Sequence, residues 1–596
     1  MLESSSAATR NAPASNPSLN TSQLALPPAN DPSVYIRVAV FSDGTPLEFG
    51  TNDIVVFVGP NNAGKSQALR DLRGLPERQD FPGIVVKHLE LSRQGSRQDL
   101  ERYIVEHGKR QENSSQFAYH INGAQIHSGW GHMWENASPG KLQSLTPLFF
   151  HHLDVQSRLS AANTVESFSR LSGQPSLPAH YMYLHPKREE AIAVAFKQAF
   201  GKGIVINRSA GREIPILFGD RPPKPLGEEE HSESFQQKLA ALPLISKQGD
   251  GMKCFAGILL NVIATPTNVL LIDEPEAFLH PPQARILGRF LATNQRSGTQ
   301  LFISTHSSDL LRGILDANTG RVRVVRLSRE ADINHVKQLD NTNISQFWRD
   351  PLLRFSNILD GLFHDKVVVT EADGDCRFFS AIAEANAAST ADGVREPDVL
   401  FTPTFGKERL LVIVEALRAI GVPTIAVADF DFLNSAERVE KFYLALAGTD
   451  WAKLRPLLNQ VAQAVESRKR SLDATLLKPF IERILNNTTG ATLDDKDAEE
   501  IRKRLKLESP WEEMKRVGMN GLPSGPVYDA CDQLLTTLVA AGLFVVRKGQ
   551  LESFDPTIGK HGPAWVAGVM AKNLQSDPGL ADARTFVRSL INWKAP

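Results

Sequence analysis

The chain has 596 residues, of which 42% are hydrophobic and 22% charged, and a net charge of −1 at pH 7. Globular composition at this length predicts three or four domains, and near-neutral charge excludes a uniformly basic nucleic-acid coat while leaving room for a local basic groove. Cys254, Cys376 and Cys531 form no CxxC pair, so the sequence predicts a reducing, cytoplasmic setting without a zinc site or disulfide framework. No stretch approaches the ~18 apolar residues of a membrane span.

Residues 1–33, rich in Ala, Ser, Asn and Pro, bury too little to offset ordering and are expected to form a disordered leader. Val34–Phe41 alternates as a strand does, and Ile54–Val58 is a continuous apolar run suited to a strand buried on both faces. A glycine loop follows, then a helix from Lys65 to about Arg73. Residues 75–150 yield only probable strands and a helix near Gln98–Gly108. A helix over Arg188–Phe200, a strand at Gly203–Ile206 and a loop at Pro222–Pro225 come next. Met252–Ala264 reads as an apolar helix, Val269–Asp273 and Leu301–Thr305 as buried strands, and Arg321–Leu327 as the strand closing the first half.

Gln338–Asn357 is a candidate junction. Beyond it, strands at Lys366–Thr370, Val399–Phe401 and Thr424–Ala428 alternate with helices at Arg377–Ala387 and Glu408–Ile420. Such alternation means a parallel sheet covered by helices. Residues 435–515 are helical and highly charged, as an all-α insertion would be, before Leu543–Val546 resumes the sheet. The expected fold is α/β throughout, with one domain at 34–350 and a second at 360–596.

Two patterns carry chemistry. Gly59-Pro60-Asn61-Asn62-Ala63-Gly64-Lys65-Ser66 fits GxxxxGKS between a strand and a helix. Its backbone N–H groups can wrap phosphates, Lys65 can reach the terminal phosphates of ATP, and the Ser66 hydroxyl can ligate Mg²⁺. Asp273-Glu274 ends a buried strand where a Walker B pair belongs, so Asp273 would hold Mg²⁺ and Glu274 would polarise the attacking water. His306, after the next strand, sits where a γ-phosphate sensor would. Taken singly, Asp273 could cap a helix and His306 could be a core histidine; their order and spacing favour the nucleotide site.

The second pattern is acidic. Glu371 ends the strand Lys366–Thr370, Asp375 follows in Glu371-Ala372-Asp373-Gly374-Asp375, and Asp429 and Asp431 follow the strand Thr424–Ala428. Carboxylates at carboxyl-terminal strand ends converge if the strands are neighbours. Oxygen ligands without His or Cys select Mg²⁺ or Mn²⁺, which can activate water at a phosphodiester. Acidic residues after strands are also common turn and cap residues; a set of four at matched ends favours the metal.

The first half resembles the ABC-type ATPase head of the SMC/RecF-like group. The likeness rests on Gly59–Ser66, a divergent signature at Ser246-Lys247-Gln248-Gly249-Asp250-Gly251, Asp273-Glu274-Pro275-Glu276-Ala277-Phe278-Leu279-His280-Pro281 and Ser304-Thr305-His306-Ser307. It implies a homodimer or higher homo-oligomer through the heads, with the signature of one subunit completing the ATP site of another; Gln156 is the candidate Q-loop residue. The second half resembles a TOPRIM domain, with Glu371 and Asp375 in its first motif, Ala372 where a glycine is usual, Gly406-Lys407 between the motifs, and Asp429 and Asp431 in the second.

A head joined to TOPRIM is similar to the overcoming-lysogenisation-defect (OLD) family of nucleases, which includes the Gabija nuclease subunit. The resemblance covers residues ~35–596. It implies an ATP-regulated, Mg²⁺- or Mn²⁺-dependent DNA endonuclease, commonly in anti-phage defence and sometimes with a helicase-type partner. It also implies Glu552 as a fifth metal ligand and a catalytic lysine at Lys560, or else Lys572. One alternative is a RecF- or SMC-like repair ATPase whose TOPRIM domain binds DNA without cutting; the intact acidic set weighs against it. A primase is disfavoured by the missing cysteine pairs. The seven tyrosines make a topoisomerase a weaker reading.

Overall fold

The computed structural model describes residues 31–113, 116–121, 124–127, 130–136, 138–169, 175–223, 232–339, 357–388, 398–404, 406–446, 449–468, 474–488, 490, 492–505 and 509–595. Nearly all of the expected leader, most of the junction at Gln338–Asn357 and part of the Pro222–Pro225 loop lie outside them. The chain divides into two compact units, Met1–Asn341 and Thr342–Pro596, against the three or four that length alone suggests.

The first unit is built on a six-stranded sheet. Its order is Ile333–Gln338, Val322–Glu330, Ile54–Val58, Gln300–Ser304, Val269–Asp273, Phe150–Leu153, parallel except for the first strand. Ile54–Val58 lies at its centre with every residue buried, as its unbroken apolar run requires. Val322–Glu330 does not close the half as expected: it turns back into Ile333–Gln338, paired from Val325↔Gln338 to Glu330↔Ile333. The polar content of that last strand hid it, since only its edge position tolerates such residues.

An antiparallel sheet of Pro46–Glu48, Ser33–Phe41 and Val86–Gln94 packs on the same core, where Phe41, Phe57 and Phe302 meet. The stretch 75–150 also holds the helix Arg97–His107 and a three-stranded antiparallel sheet starting at Lys109. Lys109–Asn113 reads Lys-Arg-Gln-Glu-Asn and gives no period-two signal. The helix Lys65–Glu77 runs past the expected end near Arg73 and includes Pro76.

The second unit has a four-stranded, all-parallel sheet in the order Val399–Pro403, Lys366–Thr370, Thr424–Ala428, Leu543–Val545. Lys366–Thr370 and Thr424–Ala428 are direct neighbours, with Val369 opposite Ala426. Six helices among the described residues, from Ala436–Ala445 to Pro526–Ala541, separate the third and fourth strands in sequence. A core of Phe378, Phe379, Phe554 and Trp565 packs beneath this sheet.

Candidate nucleotide and metal sites

The loop Gly59–Ser66 joins the central strand to the helix Lys65–Glu77, so its amides stand at a helix N-terminus. Gly59 is obligatory here. Its φ is +145°, and a Cβ would sit 2.1 Å from the Leu327 carbonyl oxygen of the next strand. Asn334, on the strand Ile333–Gln338, braces the loop by donating from Nδ2 to the Ala63 carbonyl at 2.8 Å. Asn61 and Asn62 are exposed and Ser66 is half-buried.

Lys65 is only 3% exposed, and its Nζ donates to the carbonyls of Gly59 (2.7 Å) and Pro60 (2.8 Å). Burial depresses its ammonium to about 8, against the pull of Glu274, Glu276 and Asp273. Asp273 ends its strand beside Ser304, whose hydroxyl donates to Asp273 Oδ1; Arg158 donates to the Asp273 carbonyl. Glu274 takes a φ of +45°, and its N–H donates to the Ser304 carbonyl at 3.0 Å, leaving its carboxylate half exposed.

His306 Nε2 lies 3.4 Å from Glu274 Oε1. Burial, with Lys65 nearby, drives the imidazole down to about 4, so it is neutral at physiological pH. Glu276 is instead a brace, accepting from the Thr305 hydroxyl (2.8 Å) and the His306 N–H (2.7 Å), with burial pushing its carboxyl up. Lys65, Ser66 and His306 line one cavity of about 350 Å³ together with Arg70, Arg329 and Asn334, three residues that the motif does not mark. Gln156 is exposed on the helix Val155–Ala161, directly after Phe150–Leu153. Gly249 is exposed and caps the helix Asp250–Ala264.

In the second unit, two neighbouring strand ends bring Glu371 and Asp429 together. The Asp429 N–H donates to Glu371 Oε1 at 3.3 Å, and the Gly406 N–H donates to the Glu371 carbonyl at 3.2 Å. Asp375 opens the helix Asp373–Ala387 and accepts the Ala372 N–H at 3.0 Å. Burial pushes its carboxyl up to about 7, and the charges of Asp429 and Glu552 add to that. Asp431 lies in the short turn Phe430–Asn434. Glu552 comes from the turn Leu551–Phe554 and accepts the Gly562 N–H at 2.8 Å.

A lysine that the sequence does not mark, Lys515 on the helix Pro510–Val517, also stands at this cluster. Its Nζ lies 2.8 Å from Asp429 Oδ2, and Asp429, Asp431 and Glu371 hold its ammonium above the ordinary lysine range. Gly549 makes that placement possible: its φ is +115°, and a Cβ there would meet the Lys515 carbonyl oxygen at 2.3 Å. Lys560 is exposed, beyond the turn that carries Glu552, and Lys572 is engaged by Asp555 and Asp577.

The donor set is all carboxylate, the chemistry that suits Mg²⁺ or Mn²⁺. Among the described residues no three acidic, His or Cys side chains converge at metal-binding distance.

Residues 213–312 match the family model described as an AAA domain, putative AbiEii toxin, type IV TA system. A curated relative, the Old nuclease of Escherichia phage P2, is 25% identical over 210 residues. That match covers 34% of this chain and spans about a third of the relative's length, 34%. Among solved structures, an SMC head bound to the C-terminal winged-helix domain of ScpA aligns with 52% of this chain and 99% of its own at TM-score 0.32 and 12% identity. The SMC head domain from Thermotoga maritima covers 52% and 98%, at TM-score 0.28 and 14% identity. The first unit is α/β, with residues 213–312 similar to an AAA domain, and the chain's resemblance to the OLD family has a counterpart in that curated relative. Among the described residues no helix is long and apolar enough to cross a membrane.

Proposed function

We propose that this chain is an ATP-binding and ATP-hydrolysing, divalent-metal-dependent DNA endonuclease of the OLD type. In this reading residues 34–350 act as the ABC-type ATPase and 360–596 as a TOPRIM nuclease domain with its helical insertion at about 435–515. The observation that carries it is the Asp429 N–H on the Glu371 carboxylate, with Asp375 pushed up by burial first and then by the charges of Asp429 and Glu552. Carboxylates that raise one another's proton affinity are poised to trade protons for a cation.

In the head, Lys65 exchanges its carbonyl partners Gly59 and Pro60 for the β/γ-phosphates. Asp273 and Ser66 would hold Mg²⁺. Glu274 orients the attacking water, and neutral His306 beside it can sense the γ-phosphate. The exposed Gly249 N-terminus is suited to complete the site of a second head in trans.

In the second unit Glu371, Asp375, Asp429, Asp431 and Glu552 would hold Mg²⁺ or Mn²⁺. The metal supplies a nucleophilic water and neutralises the leaving oxygen of a phosphodiester. Lys515, released from Asp429, can turn its ammonium toward the DNA phosphate. Anti-phage defence and a helicase-type partner follow only from the family resemblance.

The test is nicking of supercoiled plasmid with Mg²⁺ or Mn²⁺, with and without ATP. Metal-dependent nicking is expected, absent in EDTA. Intact plasmid under every condition, with ATPase activity retained, would favour a DNA-clamping ATPase instead.

A further inference from the structure

A second cavity, of about 310 Å³, opens in the first unit at the sheet edge opposite the glycine loop. Its walls come from Pro266–Asn268 and Arg296–Thr299, which precede the strands Val269–Asp273 and Gln300–Ser304, and from the helices around Tyr103, Tyr181 and Arg188. Those strands have five residues each, so the two edges stand roughly 16 Å apart. It shares no lining residue with the cavity at Gly59–Ser66.

Two guanidiniums meet in this cavity without a carboxylate between them. Arg188 donates to the Ile263 carbonyl (3.3 Å) and Arg296 to the Thr265 carbonyl (2.9 Å), and among the described residues neither forms an ion pair. Burial, then the charge of Arg188, holds Arg296 below its ordinary range, and burial, then both arginines, depress His185 on the same wall. The hydroxyls of Tyr103 and Tyr181 lie near Arg296, and burial raises both; neither has a hydrogen-bond partner among the described residues. Asp31, the one acid among the described residues lining the cavity, is raised by burial, against the pull of His107 and Arg102, and its charge also reaches Tyr103.

Capping the last carbonyls of the helix Asp250–Ala264 explains one N–H of each arginine. It leaves most of their five donors apiece unused, and it does not offset two like charges placed together in a half-buried cavity. A dianion would use the forks, the charge and the two hydroxyls at once.

We propose that this cavity binds the phosphate group of a small ligand, gripped by Arg188 and Arg296 and bonded by Tyr103 and Tyr181. Its volume admits either free phosphate or a nucleoside monophosphate stacked on the tyrosine rings.

The experiment uses the full chain carrying Lys65→Ala, which silences the glycine loop, titrated calorimetrically with inorganic phosphate and separately with AMP. Saturable one-site binding of at least one of them is expected, with an accompanying rise in Tm. Equal affinities identify free phosphate as the ligand; tighter AMP binding assigns the base to the rings. Arg296→Met should weaken binding at least tenfold, and Tyr181→Phe, which removes one hydroxyl only, several-fold. Without ligand, Arg188→Met should hold or raise Tm because a repulsion is relieved, whereas a purely structural cap would lower it. No binding of either probe, or unchanged affinity in Arg296→Met and Tyr181→Phe, overturns the proposal.

Discussion

The Asp429 N–H donates to the Glu371 carboxylate at 3.3 Å, so the ends of two adjacent parallel strands are bonded through a side chain of the candidate metal site. Removing either carboxylate deletes a donor oxygen from that site without touching Lys65, Asp273 or Glu274. Glu371→Ala and Asp429→Ala should each abolish metal-dependent plasmid nicking while ATP turnover stays within about twofold. Nicking at wild-type rate by both variants would remove the nuclease assignment even with the fold intact.

Lys515 gives the acidic cluster its positive charge. Lys515→Gln should lower the metal-free Tm, because Asp429 loses a charge-assisted bond and faces Asp375 and Glu371 unscreened. The cost is about 1–3 kcal/mol. Millimolar Mn²⁺ should restore most of that loss, which scanning fluorimetry with and without the ion would reveal. An unchanged Tm in EDTA would mean that the Lys515–Asp429 contact carries no weight in solution.

How far the sequence exposes these sites depends on where each residue comes from. Glu371, Asp375, Asp429, Asp273 and Lys65 are legible because each ends or follows an unbroken apolar strand, a local signal. Lys515 and Asn334 are not, since each is delivered by an element remote in sequence: a charged amphipathic helix and a polar edge strand. Their placement depends on backbone approaches such as Gly549 against Lys515. The second cavity has no signature at all, because its arginines and tyrosines come from separate helices and loops.

Asp375 sets a pH dependence. Its carboxyl is raised from 3.8 to about 7 in the folded chain, by burial first. Between those values the folded state keeps a proton that the unfolded chain has released, so metal-free stability is full below pH 4 and falls as pH rises through 7. Urea melts in EDTA from pH 5 to 8 should show a decline on the order of 2–4 kcal/mol that Asp375→Asn flattens. Metal binding at pH 6 should correspondingly release a proton, measurable by calorimetry in two buffers of different ionisation enthalpy. A decline equally steep in Asp375→Asn would assign the titration to another group.

Lys65→Ala should abolish ATP binding, since among the described residues no other buried ammonium lines that cavity. Filter binding retained within a few-fold of wild type would remove the glycine loop from the nucleotide site.

In the proposed ATP site Glu274 would serve catalysis and Glu276 support. Glu274 holds its carboxylate half exposed, 3.4 Å from His306, on a backbone with φ of +45° that turns it off the strand. Glu276 spends one oxygen on the Thr305 hydroxyl and the His306 N–H, which fixes the turn that presents the imidazole. Glu274→Gln keeps the shape and removes the charge that polarises water, so it should bind ATP normally and hydrolyse it at least a hundredfold more slowly, about the scale of one general base. Glu276→Ala should cost ~1–3 kcal/mol of stability through two orphaned donors, with a smaller loss of turnover. Steady-state ATPase rates alongside thermal melts of both variants distinguish the roles. If Glu274→Gln turns over normally and Glu276→Gln does not, the water is held by Glu276, and the turn at His306 must open to admit it.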